Sequence, residues 1–594
     1  MARCIITNSE TISENFVSLN KEIGFTDYNT ISFKKLRGGV FKKRKVKNEN
    51  YLINSNGFIS VIGTWFYNGK MGLDTLRIMY DDFQGECVSQ FRKKMIGNYL
   101  FMICKDDELY VFTDPGGIHY AYYWKSEQDW MIGSSLYEMA KSIDKIEVSA
   151  FNVISEAYNA YIIDNETIFK GFYRLMGDEY IKYSSKENQY KICQFADPLL
   201  IVDNRGLNEI IEDAVSAYAE ISNVIKKNFS NNDVALCITG GVDSRSLLAA
   251  FLAADIKPSF YYGVGNSMLT HTMKGDLEVD RMFASRYDMP LRVMDWSTPE
   301  VIDEYWDEAI KNYGTMSWLY GASESVFSSC EGIEPSLVFT GYFGELYRNN
   351  SVIENSTKRS LSIDEIYEEC GFYYDDLKII LDKSYNEYVT LEKEKIKKVL
   401  NPYLDCEGRL PVDLFPVFEY AKRRHSDTFF TNFINQTHYS FLVMAEPEIV
   451  KLSCIPHEYK KDYRYMLELI KRIYPDLLNV PFYSRYTWKK YDSDNNLIIN
   501  QDTGSPNLKT RIKSYLARTL ANISKPLYTF IVDKHKHNYS VNQLELVNQL
   551  QKLIKNNDFP FIPDTLNSSW IARDGKFAII MRMLKLMNVE RKGC

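Results

Sequence analysis

The stretch from Val234 to Ala254 restricts the possible folds of this chain more than any other. An apolar run, Val234-Ala235-Leu236-Cys237-Ile238, enters the turn Thr239-Gly240-Gly241-Val242-Asp243-Ser244, and a second apolar run from Leu247 to Ala254 leaves it. The pattern predicts strand, tight loop and helix. Gly240 and Gly241 let the backbone approach an anion closely, and the amides that follow form a nest backed by a helix N-terminus. Thr239 and Ser244 add hydroxyl donors. Asp243 is the informative member, because a carboxylate facing a polyphosphate makes sense only with a divalent metal between them. No G-x-x-x-x-G-K-[ST] occurs, which excludes a kinase- or GTPase-type phosphate loop. The alternative is a strand–helix turn whose glycines serve packing alone; Asp and Ser placed after the glycine pair weigh against it.

The flanks extend this pattern. Apolar residues recur at helical spacing from Asn208 to Lys227, and further strands are expected at Ser259–Tyr262 and Leu337–Thr340. Strands alternating with helices predict a parallel, doubly wound sheet. Residues 1–195 read differently: short alternating strands such as Phe58–Thr64 and Tyr99–Cys104, broken by Tyr67-Asn68-Gly69 and Asp114-Pro115-Gly116-Gly117, predict stacked antiparallel sheets with few helices. Beyond about residue 355 the chain reads as largely helical, and residues 501–594 as a lysine- and asparagine-rich helical extension without a motif. At 594 residues the chain is too long for one core. We expect an antiparallel domain over 1–195, a parallel α/β domain over 196–500, and the extension over 501–594.

The loop resembles the pyrophosphate loop S-G-G-x-D-S of the ATP pyrophosphatase superfamily, and the segments after it narrow the resemblance to the asparagine synthetase family. Tyr262-Gly263 is similar to the family segment that wraps the adenine, and its sequel Asp276-Leu277-Glu278-Val279-Asp280 is expected to open a helix. Thr340-Gly341-Tyr342-Phe343-Gly344-Glu345-Leu346 resembles S-G-x-G-x-D-E-L but is one residue short, which leaves Glu345 as the candidate second magnesium ligand; Tyr342 stands in place of a glutamate. His457-Glu458-Tyr459-Lys460-Lys461-Asp462 resembles the segment whose lysine stabilises developing charge. Counting back from Pro475 favours Lys460, with Lys461 next; either one alone would read as a surface lysine.

The resemblance implies ATP and Mg2+ as cofactors and attack of a substrate carboxylate on the α-phosphate. The acyl adenylate then meets an amine or ammonia. It implies nucleotide contacts at Cys237, Thr239, Gly240, Gly241, Asp243, Ser244, Tyr262, Gly263 and Gly341, metal ligation by Asp243 and Glu345, and catalytic roles for Lys460, Lys461 and Glu345.

The N-terminal part resembles the Ntn-type glutaminase domain of the same family, through Tyr67-Asn68-Gly69-Lys70, Ile96–Phe101 and Thr113–Gly117. That glutaminase needs a cysteine directly after the initiator methionine, so that its α-amine serves as base. Here Ala2 and Arg3 precede Cys4, and Lys70 stands at a glutamate position. The expectation is a retained scaffold without glutaminase activity, as in β-lactam synthetases and lasso-peptide cyclases. The rivals are a glutamine-hydrolysing amidotransferase acting through Cys4 and an ATP-binding pseudoenzyme.

Composition removes other classes. A net charge of −7 gives no support to a nucleic-acid surface. No apolar run reaches membrane-spanning length. Ten scattered cysteines without a C-x-x-C pair suggest reduced thiols and a cytoplasmic protein rather than zinc or disulfides. The expected partners are a small-molecule or peptide carboxylate and an amine or ammonia donor, in a possible homodimer, with no nucleic acid and no membrane. The basic run Lys422-Arg423-Arg424-His425 reads first as a solvated helix face and second as a substrate or phosphate contact.

Overall fold

In the N-terminal part, period-two alternation becomes two six-stranded antiparallel sheets. One orders Phe172–Arg174, Tyr122–Lys125, Trp130–Gly133, Arg3–Thr7, Leu36–Phe41 and Tyr28–Phe33; the other orders Gln189–Gln194, Glu179–Ser184, Glu108–Thr113, Tyr99–Lys105, Gly57–Gly63 and Tyr51–Asn54. Alternate side chains divide between the faces. Cys4, Ile6, Val40, Ile62, Leu100 and Met102 meet between the sheets. Ile5 faces outward under the helices Glu10–Glu22 and Leu136–Lys141, and Val61 and Phe101 lie under the helix Leu73–Asp82. The result is four layers, with a helix layer outside each sheet. The computed structural model describes residues 2–46, 49–159, 161–187, 189–195, 200–264, 271–295, 332–348, 359–369, 385–484, 487–491 and 497–502.

The second half is built on a five-stranded sheet in the order Leu291–Asp295, Ser259–Val264, Val234–Cys237, Leu337–Thr340, Tyr439–Ser440, with every neighbouring pair parallel. Both faces are buried, which is why its central strands read as unbroken apolar runs. Val234, Leu236, Leu337 and Phe339 pack on one face with the helices Leu207–Asn228, Asp243–Ala253 and Arg464–Ile473, while Ala235, Tyr261 and Val338 face the helix Phe429–Ile434. Strand order reverses between Val234–Cys237 and Leu337–Thr340. In such a sheet the crevice outside the carboxyl ends of those two strands is the natural ligand site.

The described residues beyond 355 are largely helical, as expected, with an unexpected antiparallel sheet of Phe482–Ser484, Thr487–Tyr491 and Leu497–Asp502. One expectation is corrected here. Asp276 to Asp280 do not open a helix; the helix runs His271–Tyr287 and places them in its interior. The expected helical tail from residue 503 onward lies outside the described residues. Among the described residues no helix is long and apolar enough to cross a membrane.

The halves meet along a buried polar seam. Ser440 donates its backbone N–H to Thr64 Oγ1 at 2.8 Å, and Leu442 donates to Asn98 Oδ1 at 2.7 Å. Arg3 reaches Glu138 at 2.8 Å and Gln436 at 2.9 Å, and Lys43 Nζ donates to the Asn435 carbonyl at 2.7 Å. Burial holds the Lys43 ammonium well below the usual lysine range.

Candidate active site

The glycine loop leaves the strand Val234–Cys237 and feeds the helix Asp243–Ala253. Ser244 closes the loop on itself: its Oγ accepts from the Thr239 N–H at 3.1 Å and lies 3.2 Å from the Thr239 carbonyl, to which it donates. From outside, Asp276 Oδ1 accepts the Gly240 N–H at 3.1 Å, and Tyr483 N–H donates to the Gly240 carbonyl at 3.1 Å. A Cβ on Gly240 would lie 2.7 Å from the Asp276 carboxylate, so this glycine is required by close approach.

The second predicted segment packs directly on the loop. A Cβ at Gly341 would meet the Ser244 nitrogen at 2.8 Å, and one at Gly344 would meet Asp243 Cγ at 2.2 Å. Between these glycines Phe343 takes a left-handed backbone, φ 75°, held by a fully buried ring packed against Tyr420. A non-glycine residue there stores strain, an arrangement common at functional sites.

Asp243 and Glu345, the two expected metal ligands, are thereby brought together. Arg348 bridges them, 3.1 Å from Asp243 Oδ2 and 3.3 Å from Glu345 Oε1. Arg423 holds Glu345 from the far side at 3.4 Å and is itself fixed by Asp427 at 2.6 Å and Glu419 at 3.2 Å. Asp243 Oδ1 is buried without a hydrogen-bond partner, whereas Glu345 Oε2, buried without a hydrogen bond, is the oxygen that Arg423 pairs at 3.4 Å. Despite the Arg348 pair, burial keeps the Asp243 carboxyl above the usual range, with the neighbouring Glu345 charge adding to the effect. One orphaned carboxylate oxygen on Asp243, with the Glu345 carboxylate beside it, suits a divalent cation whose remaining ligands are phosphate oxygens and water, provided the arginines yield their ion pairs to it. Among the described residues no group of three His, Cys, Asp or Glu side chains could hold a metal unaided.

Lys460 ends the short helix His457–Lys460 and turns inward; it is 2% exposed, and its Nζ donates to the Leu346 carbonyl at 2.9 Å, one residue beyond Glu345. Lys461 is exposed. Cys237 ends its strand with a thiol that burial pushes up to about 12. Tyr262 is buried and bonded to Asp276, and Gly263 follows it in the same strand.

Three features escaped the sequence. Arg245, beside Ser244, is fully buried and donates to the carbonyls of Leu477, Val480 and Pro481. Arg348 joins the two carboxylates. The run Lys422–His425 is not a solvated face, a correction: Arg423 ties to Glu345, burial lowers the Arg424 pKa, and His425 is buried against Arg174. Three or four consecutive residues circle a helix, so a basic run need not share one face.

Cys4 sits within a strand, with its side chain in the core between the sheets and its thiol pushed by burial up to about 12. A thiol so placed is neither ionised nor open to a substrate. Lys70 is exposed on a tight turn closed by the Tyr67 N–H to Lys70 carbonyl bond, 2.8 Å.

Asp280 offers a test of the electrostatics. Both its oxygens are buried without a hydrogen-bond partner. Burial, with Asp276 adding and Arg245 opposing, pushes its pKa from 3.8 to about 8. The folded chain therefore holds a proton that the unfolded chain releases between these values. This contribution to stability is full below 3.8 and is lost as the pH rises to about 8. The melting temperature of Asp280→Asn is expected to gain on that of the parent as pH rises through this window; a constant difference would refute the assignment.

No protein-family model matches the chain, and no curated protein matches it. Among solved structures, one match is a glutamine phosphoribosylpyrophosphate amidotransferase from B. subtilis complexed with ADP and GMP, at 9% identity and a TM-score of 0.23 over 49% of this chain. The chain spans just under two thirds of that enzyme, 65%. Another is described as the allosteric regulatory enzyme of purine biosynthesis, at 9% identity and a TM-score of 0.24, covering 50% of this chain and 81% of the other.

Proposed function

We propose that this chain is an ATP-dependent, AMP-forming carbon–nitrogen ligase of the asparagine synthetase type, acting on a small-molecule or peptide carboxylate without a glutaminase of its own. The observation that carries this reading is the meeting of the Thr239–Ser244 loop with Gly341–Glu345 at the carboxyl ends of the two central strands, with Asp243 and Glu345 joined through Arg348.

In the first step a substrate carboxylate oxygen attacks the α-phosphorus, the bond from α-phosphorus to the bridging oxygen breaks, and pyrophosphate leaves. In the second, an amine attacks the acyl carbon, the bond to the adenylate oxygen breaks, AMP leaves and the nitrogen loses a proton. The loop amides and Ser244 would bind pyrophosphate. Asp243 and Glu345 would hold Mg2+, which supplies neutralisation of phosphate charge. Arg348 and Arg423 fix the two carboxylates and bring cationic charge beside the phosphate position. Lys460 would stabilise the oxyanions of both steps. The burial of Cys4 supports an amine drawn from elsewhere.

The test is carboxylate-dependent exchange of labelled pyrophosphate into ATP over a substrate panel. Asp243→Asn should lower the exchange by about 10²–10³-fold; exchange surviving in that variant would exclude this role for the loop. A second reading, a nucleotide-binding protein without turnover, draws on Arg348 lying between the two carboxylates. It requires ATP to bind while no carboxylate supports exchange.

A further inference from the structure

A cavity of about 770 Å³ opens between the antiparallel half and the helix Leu207–Asn228, within the size range of small-ligand sites. None of the site residues described above lines it. Met95, Ile221 and Val224 give it an apolar wall, and Arg92 and Glu446 bring opposite charges to it from different halves of the chain.

Arg92 lies over the Phe195 ring, 3.3 Å from its centroid, and donates from one guanidinium nitrogen to the Gly177 carbonyl at 2.5 Å. Among the described residues no carboxylate pairs with it, and burial lowers its pKa. Glu446 is 4% exposed; its Oε1 accepts the Gly97 N–H at 3.1 Å, and its other oxygen has no hydrogen bond among the described residues. Among the described residues no cation pairs with it, and burial beside Asp114 pushes its carboxyl up to about 8. Other charges reach the same cavity: Lys94 lies 3.5 Å from Asp82, Lys451 pairs with Glu448, Lys93 stands beside Arg92, and Asp178 and Glu220 add carboxylates, the Asp178 charge acting on Arg92.

A purely structural role uses one donor of Arg92 and one oxygen of Glu446. It leaves the remaining guanidinium donors and the second carboxylate oxygen open to the cavity, without a protein partner among the described residues. A ligand carrying both complementary charges would engage both groups. We infer that the cavity binds a free α-amino acid with an apolar side chain, its carboxylate on Arg92 and its ammonium on Glu446. Cys4 takes no part, since it is packed between the sheets. The site does not depend on the ligase reading.

Calorimetric titration of the full chain with the protein amino acids tests this. Each amino acid that binds is compared with its N-acetyl and carboxamide forms. One or more apolar α-amino acids should bind, and blocking either end should weaken binding at least about tenfold. Arg92→Met and Glu446→Gln should each do the same. The blocked ligands need only the parent protein, so a misfolded variant cannot hide the result. The inference is overturned if no free amino acid binds, if a blocked form binds as well as the free one, or if both substitutions, folded by circular dichroism, leave binding unchanged.

Discussion

Lys460→Met is expected to cut carboxylate-dependent pyrophosphate exchange about 10²–10³-fold, whereas Lys461→Met leaves it within about twofold of the parent. Spacing alone left the two lysines adjacent in rank. Tertiary structure separates them: Lys460 is buried with its ammonium on the Leu346 carbonyl, beside Glu345, and Lys461 is exposed. Burial pulls the Lys460 pKa from 10.5 to about 8. The charged form is the useful one, so exchange should fall as pH rises through about 8. Stability moves the other way. Between about 8 and 10.5 the unfolded chain holds this proton and the folded chain does not, so the contribution of Lys460 to stability rises with pH across that window. Opposite slopes therefore separate loss of charge from loss of fold. Lys460→Arg, charged throughout, should flatten the fall in exchange. If Lys461 proves the sensitive position, the assignment is wrong.

Arg245→Met is expected to destabilise the chain by about 3–5 kcal/mol, read as a lower denaturant midpoint at unchanged slope. Its guanidinium is fully buried, and burial lowers its pKa to about 9. It donates to the carbonyls of Leu477 at 3.2 Å, Val480 at 2.6 Å and Pro481 at 2.9 Å, between the rings of Phe482 at 3.5 Å and Phe283 at 4.7 Å. Methionine retains the stem and its apolar contacts. What it removes is the guanidinium donor to these three carbonyls; the Leu477 carbonyl keeps the Val480 N–H at 3.3 Å, but each buried acceptor left unsatisfied costs about 1–3 kcal/mol. The same carbonyl segment carries Tyr483, whose N–H bonds the Gly240 carbonyl, so nucleotide affinity should fall together with stability. A loss below about 1 kcal/mol, the size of an ordinary substitution, would show that the carbonyls find other partners.

Much of the architecture was legible. Alternation in residues 3–194 reports strands with one face on a core, and the apolar runs at Val234 and Leu337 report strands covered on both faces. Leu291–Asp295 was missed because it is an edge strand: Val293 is 46% exposed, so arginine and aspartate are tolerated and the apolar signal is diluted. The strands at Phe482, Thr487 and Leu497 were missed because Phe482–Ser484 is only three residues long and the polar pairs Lys489-Lys490 and Asn500-Gln501 interrupt the apolar pattern of the other two.

By itself, the sequence determined the strand, glycine turn and helix at Val234–Ala254, since these depend on local backbone freedom and on burial along one element. It also determined that Gly341–Glu345 and Lys460 deserved to stand beside that loop, through resemblance. Only the tertiary structure decided that Asp243 and Glu345 share Arg348, that Arg423 belongs to this cluster rather than to solvent, and that Lys460 rather than Lys461 turns inward. These are meetings between residues far apart in the chain. Strand order and helix packing set them, and no local pattern encodes which side chains arrive together at the carboxyl edge of a sheet.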